Sequence, residues 1–184
     1  METLEIDGWP EIDLAWRQKM AAFWSIWWPS ATASLLLMMA ITAAFPLDLL
    51  DLEVWRIRFA GSILSLVCQA FFVPRLVRKK YRTFRVGVLR DGILSSPALS
   101  MSETVQVALR IIWPQAAVIA IEVLVQIWLS GSPHRSAVQL VSPICYLARF
   151  FVVGPYALSF ALRSDYRGFR LSVRCRQPSG PVPA

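Results

Sequence analysis

From Met20 to Leu47 the chain contains no Asp, Glu, Lys or Arg. About 20 apolar residues suffice for a helix to cross a bilayer, and hydrocarbon admits only backbone that satisfies its own hydrogen bonds. The run exceeds that length. It predicts a transmembrane helix, roughly Ala21–Phe45, with Trp24, Trp27 and Trp28 at its start, where indoles favour the headgroup level. Three more apolar stretches follow. The charge-free stretch Phe59–Pro74 is shorter. It makes only about 24 Å of helix, so Arg56, Arg58 and Arg75 must reach outward from its ends. A third helix is expected at Ile111–Ser130, carrying Glu122, and a fourth at Ala137–Leu162, carrying Arg149 and kinked at Pro143 and Pro155. Hydrophobic types make up 56% of the 184 residues, charged types 17%, and the mean hydropathy is +0.51. Soluble domains carry about 25% charged residues, and a soluble core of this size cannot hold so much apolar surface. The expectation is an integral membrane protein with four spans.

Two landmarks recur at one offset. Arg78-Lys79-Lys80-Tyr81-Arg82-Thr83-Phe84-Arg85 and Arg163-Ser164-Asp165-Tyr166-Arg167-Gly168-Phe169-Arg170 both read R-x-x-Y-R-x-F-R. The step from Tyr81 to Tyr166 equals the step from Trp28-Pro29 to Trp113-Pro114. An offset kept without gaps argues for a duplicated unit. The expected organisation is an arm over 1–20, a first repeat over 21–90, a linker over 91–105, a second repeat over 106–176 and a disordered tail over 177–184. The arm would begin with an interfacial helix opening at Pro10. Its acidic start, with no Lys or Arg before Arg17, is unlike a secretory leader.

Lys and Arg divide unevenly. Fifteen fall in the arm, the middle loop and the C-terminal segment, against three (Arg56, Arg58 and Arg135) in the two opposite loops. The positive-inside rule then places both termini in the cytoplasm, in an inner or plasma-type membrane, with the two repeats the same way up.

Each basic motif is expected to be an amphipathic helix. Val77, Tyr81, Phe84 and Val88 share a helical face, as do Leu162, Tyr166, Phe169 and Val173. Beside them run Arg78, Arg82 and Arg85 in one copy, and Arg163, Arg167, Arg170 and Arg174 in the other. The plain reading is a membrane anchor; the sharper one is a paired site for anionic lipid headgroups or an acidic partner. Every repeated basic position is Arg, whose fork matches phosphate and carboxylate. Nucleic acid is a poor fit, because the basic residues are tied to span ends.

Glu122 and Arg149 are expensive at bilayer depth. Counted from the inner helix ends at about 1.5 Å per residue, both lie about 17–20 Å in. The positions one repeat offset earlier, Leu37 and Leu64, are both apolar. A mutually neutralising intramembrane ion pair is expected, with a coupling site for a proton or anionic substrate as the alternative.

Chemistry-bearing motifs are scarce. The one histidine, His134, has no Cys nearby, and Cys68, Cys145 and Cys175 form no ligand spacing. No glycine-rich phosphate loop occurs, and Asp48, Asp51 and Glu53 read as a solvated loop. Asp91-Gly92 signals a turn, and Ser100-x-x-Glu103 a capping box that opens the third helix. No catalysis, cofactor or metal is expected. The fold class expected is all-α, with four transmembrane helices as two tandem same-orientation hairpins, each followed by a basic interfacial helix. The expected role is a non-catalytic subunit that anchors, scaffolds or assembles a larger membrane complex. It would be a hetero-oligomer with other membrane subunits rather than a monomer. A small oligomeric transporter or channel component and an anionic-lipid-sensing regulator are the alternatives.

Overall fold

The structure, a computed structural model, describes residues 13–44, 54–95, 98–130 and 135–175. The chain is mostly helical. Helix α1 spans Trp16–Ala44, α2 Val54–Arg78, α3 Met101–Ser130, α4 Arg135–Ala148 and α5 Gly154–Arg163. A π-helical turn, Arg149–Val153, joins α4 to α5 without a break. Among the described residues four helical segments are long and apolar enough to cross a membrane: Trp16–Ala44, Phe59–Arg78, Met101–Trp128 and Pro143–Arg163. Leu35, Leu36, Met39, Phe71, Leu124, Trp128 and Phe151 are exposed along them. Such outward apolar rows suit lipid and would be costly in water.

The basic motifs are not helices, and the chain is not all-α. Strand β1 is Phe84–Arg90, β2 Ile93–Ser95, β3 Asp165–Tyr166 and β4 Phe169–Cys175. They form one antiparallel sheet in the order β2-β1-β4-β3. The reason is a second periodicity in the same residues. Phe84, Val86 and Val88 alternate with Arg85, Gly87 and Leu89, and Phe169, Leu171 and Val173 with Arg170, Ser172 and Arg174. The first three of each strand are buried. Period two with β-branched residues fits a half-buried strand better than a helix once a partner strand is present.

Turn chemistry closes the two hairpins. Asp91 and Gly92 have φ of 52° and 77° between the paired Arg90 and Ile93, the double left-handed geometry of a type I′ turn. Gly168 has φ of 85° between the paired Tyr166 and Phe169. In the first copy this position is Thr83, whose branched side chain disfavours positive φ, and there the chain bends without forming a strand before β1.

The sheet sits against one end of the helices. Val86, Val88, Leu171 and Val173 pack in one core with Val73, Leu76 and Val77 of α2, Val107 and Ile111 of α3, and Leu158 and Leu162 of α5. Helix α1 packs on α2 and α5, and α3 on α2, α4 and α5. At the sheet end Arg163 forms an ion pair with Asp13 at 2.7 Å, and the Gln18 amide donates to the Thr83 hydroxyl at 3.3 Å.

The capping box forms as the sequence predicts. The Ser100 N–H donates to the Glu103 carboxylate at 2.7 Å, and the Glu103 N–H donates to the Ser100 hydroxyl at 3.3 Å. Pro143 and Pro155 leave the fourth helix continuous. Pro155 has no N–H and its ring crowds the carbonyl one turn back, and the helix widens into the π turn immediately before it. The expected interfacial helix from Pro10 falls largely outside the described residues, as do His134, the acidic loop of Asp48, Asp51 and Glu53, and the 177–184 tail. Residues 13–15 are non-helical, and α1 begins at Trp16.

Candidate functional site

The two basic motifs meet across β1 and β4. Arg85 lies opposite Arg174, Gly87 opposite Ser172 and Leu89 opposite Arg170. Gly87 and Ser172 are themselves separated by the same offset as the motifs. Partners in register share a face, so Arg85, Arg170 and Arg174 stand on the face turned away from the buried Phe84, Val86 and Val88. Antiparallel pairing sends the two motif starts to opposite ends of this ladder. Arg82 precedes β1 at one end and Arg167 precedes β4 at the other, beyond the two ends of a ladder about 17 Å long at the ordinary rise per residue. Arg78, Arg82, Arg163, Arg167 and Arg170 are exposed.

The aromatic members hold the sheet to the helices. Tyr81 stacks on Phe84 with ring centroids 4.3 Å apart and planes 8° from parallel; Tyr166 stacks on Phe169 at 4.7 Å and 9°. The Tyr81 hydroxyl lies 2.6 Å from Ser25 Oγ. The Ser25 proton is donated to the Ala22 carbonyl at 2.7 Å, so Tyr81 is the donor to Ser25. Tyr166 donates to the Ala161 carbonyl at 2.6 Å. Burial raises the Tyr81 hydroxyl above its ordinary pKa, against a smaller lowering by Ser25, whose hydroxyl can turn to donate to the ionised oxygen, and by Arg75. Burial pushes Tyr166 up to about 12, although Arg110 pulls the other way. Tyr81 and Tyr166 thus pin the starts of the two basic strands, and their rings do not lie on interfacial helices as expected.

Arg90, outside the motif, is held by several polar contacts at this end. Its Nε and one terminal nitrogen donate to Glu103 at 2.8 and 2.7 Å, and it also donates to Ser95 at 2.6 Å and to the Ala98 carbonyl at 2.9 Å. This fork ties the β1–β2 hairpin to the first turn of α3.

Glu122 and Arg149 line one cavity of about 760 Å³ between α1, α2, α3 and α4, with Trp27, Ser34, Ser62 and Ser65 on its walls. The Glu122 carboxylate accepts a hydrogen bond from the Gln126 amide at 3.3 Å. Arg149 is only 5% exposed, and its Nε has no hydrogen-bond partner.

A second buried polar contact joins α2 to α3. Gln69 and Gln115, 0% and 1% exposed, exchange amide hydrogen bonds at 3.3 and 3.0 Å, and Gln115 also donates to the Ile111 carbonyl at 3.1 Å. A search for charged residues passes over them. The signal was available as glutamines inside otherwise apolar runs. Among the described residues no three His, Cys, Asp or Glu side chains gather as metal ligands. Compared with protein-family models, curated proteins and solved structures, the chain matches none.

Proposed function

We propose that this chain is a non-catalytic integral membrane subunit that docks an acidic surface of a partner membrane protein on its sheet. One observation carries the reading: two arginine motifs from distant parts of the sequence join into a single sheet that caps the helix ends. An anchor that only holds a helix in register with the headgroups has no need for such a built platform. Arginine on a paired β surface presents its donors at fixed spacing, as recognition of carboxylates demands. The identical offset of the Gly87–Ser172 pairing supports duplication of a helix-pair-plus-strand unit, related by a pseudo-two-fold through the middle of the β1–β4 ladder. By the excess of Lys and Arg at this end, the platform faces the cytoplasm.

The test is purification from the native membrane in mild detergent. Wild type is expected to retain a partner at fixed stoichiometry. The combined change of Arg82, Arg85, Arg167 and Arg170 to Gln is expected to lose it while the helical content stays. Retention by the variant would exclude the platform as the docking surface. Arginine-dependent binding to vesicles containing phosphatidylglycerol, with no retained partner, would replace this reading with the lipid-sensing one.

A further inference from the structure

We propose that the cavity between the helices is a binding site for a zwitterion, with its oxyanion on Arg149 and its ammonium toward Glu122. The site stands on its own geometry and does not depend on the docking role of the sheet.

Four observations converge. Arginine does not shed its proton in proteins, so a guanidinium this deeply buried must be met by acceptors. The Arg149 Nε has none, and the side chain lines the cavity. The cavity, about 760 Å³, falls in the range of small-molecule sites. The same cavity is lined by Ala31 and Ser34 of α1 and Gly61, Ser62 and Ser65 of α2, whose short side chains leave the space open and whose hydroxyls can donate or accept. Glu122 of α3 lines it as well.

That last residue decides the ligand class. A lone anion would gain Arg149 but meet the Glu122 carboxylate, and would leave net charge at the depth of the spans, where charge is costly. A lone cation meets the opposite problem at Arg149. A molecule bearing both signs matches both residues and adds no net charge. Two sources share this chemistry: a free amino-acid-like or phosphoethanolamine-like molecule, and the headgroup of a zwitterionic lipid entering with its chains along Leu35 and Met38. The π turn that starts at Arg149 supports the assignment, because such widened turns recur where a helix turns a side chain to a functional task.

The full chain, purified in a maltoside detergent, can be titrated while Trp27 on the cavity wall reports by fluorescence, isolated as wild type minus Trp27→Phe. The probes are O-phosphoethanolamine, dihexanoylphosphatidylethanolamine, ethanolamine and inorganic phosphate. A saturable response to one or both zwitterions is expected, weakened at least tenfold in Arg149→Gln and in Glu122→Gln, with ethanolamine and phosphate each binding at least tenfold more weakly. Response to phosphoethanolamine alone assigns a free solute; response to the lipid alone assigns a headgroup. Should Arg149→Gln fail to fold, Ser62→Phe fills the cavity from α2, leaves both charges in place and is expected to abolish the response. Several outcomes overturn the proposal: no saturable zwitterion response, a response unchanged in Ser62→Phe or in the charge variants, or equal binding of phosphate.

Discussion

At Gln69 and Gln115 two amides answer each other inside the bundle. Removing Gln69 leaves the side-chain oxygen of Gln115 buried and unmet, whereas removing both replaces the contact with apolar packing. Gln69→Leu alone is expected to cost about 1 kcal/mol in thermal unfolding in detergent, and Gln69→Leu with Gln115→Leu to recover most of it. A double variant less stable than the single would show that the amides do not act as a pair. Tyr166 makes a pH-dependent contribution. Its hydroxyl pKa is raised to about 12 from an ordinary value near 10, so the folded state holds the proton more tightly than the unfolded state. The stability this adds is complete below pH 10 and is lost as pH rises through 12. Tyr166→Phe should remove the alkaline loss, and a late-ionising tyrosinate absorbance should vanish with it. An unchanged alkaline titration would contradict the burial of the Tyr166 hydroxyl.

Among the elements, α1 and α5 approach closely at Gly154. A Cβ on Gly154 would overlap the Phe23 ring, which is itself fully buried. Gly154→Ala must push that ring or the helix aside and is expected to destabilise by about 1–3 kcal/mol. Phe23→Leu in the same chain should return part of it, read by the same unfolding assay. Additive losses would place the clash elsewhere. The basic segments are the instructive miss at this scale. Phe84 and Val88 satisfy a helical spacing through Val77 and Tyr81, and equally an alternating one through Val86. A helix satisfies its backbone locally; a strand needs a neighbour, and although β2 pairs with the end of β1, the strand paired along the rest of it is β4, beyond α3, α4 and α5 in the chain. Asp91-Gly92 was the one local clue that favoured strands, since an Asp-Gly pair between alternating runs marks a hairpin. The capping box at Ser100 needed no such distant partner, and it was legible as written.

For the whole molecule, the helix ends and the sheet share one core, so Thr83 and Gly168 are expected on the same side of the bilayer. With native cysteines removed, Thr83→Cys and Gly168→Cys should both react with an impermeant maleimide from that side only. Reaction from opposite sides would break both the sheet and the parallel orientation of the repeats. The spans were determined by sequence alone, because a long run without charge has few other places to go and because its helix is held by contacts between near neighbours in the chain. The capping box and the turn at Asp91 were determined in the same local way. Tertiary structure decided the rest. It joined the two arginine motifs into one sheet, seated Glu122 and Arg149 on a common cavity and matched Gln69 to Gln115. Each depends on which distant segments pack together, and that is settled by burial of apolar faces between elements, a quantity that no local window of residues contains.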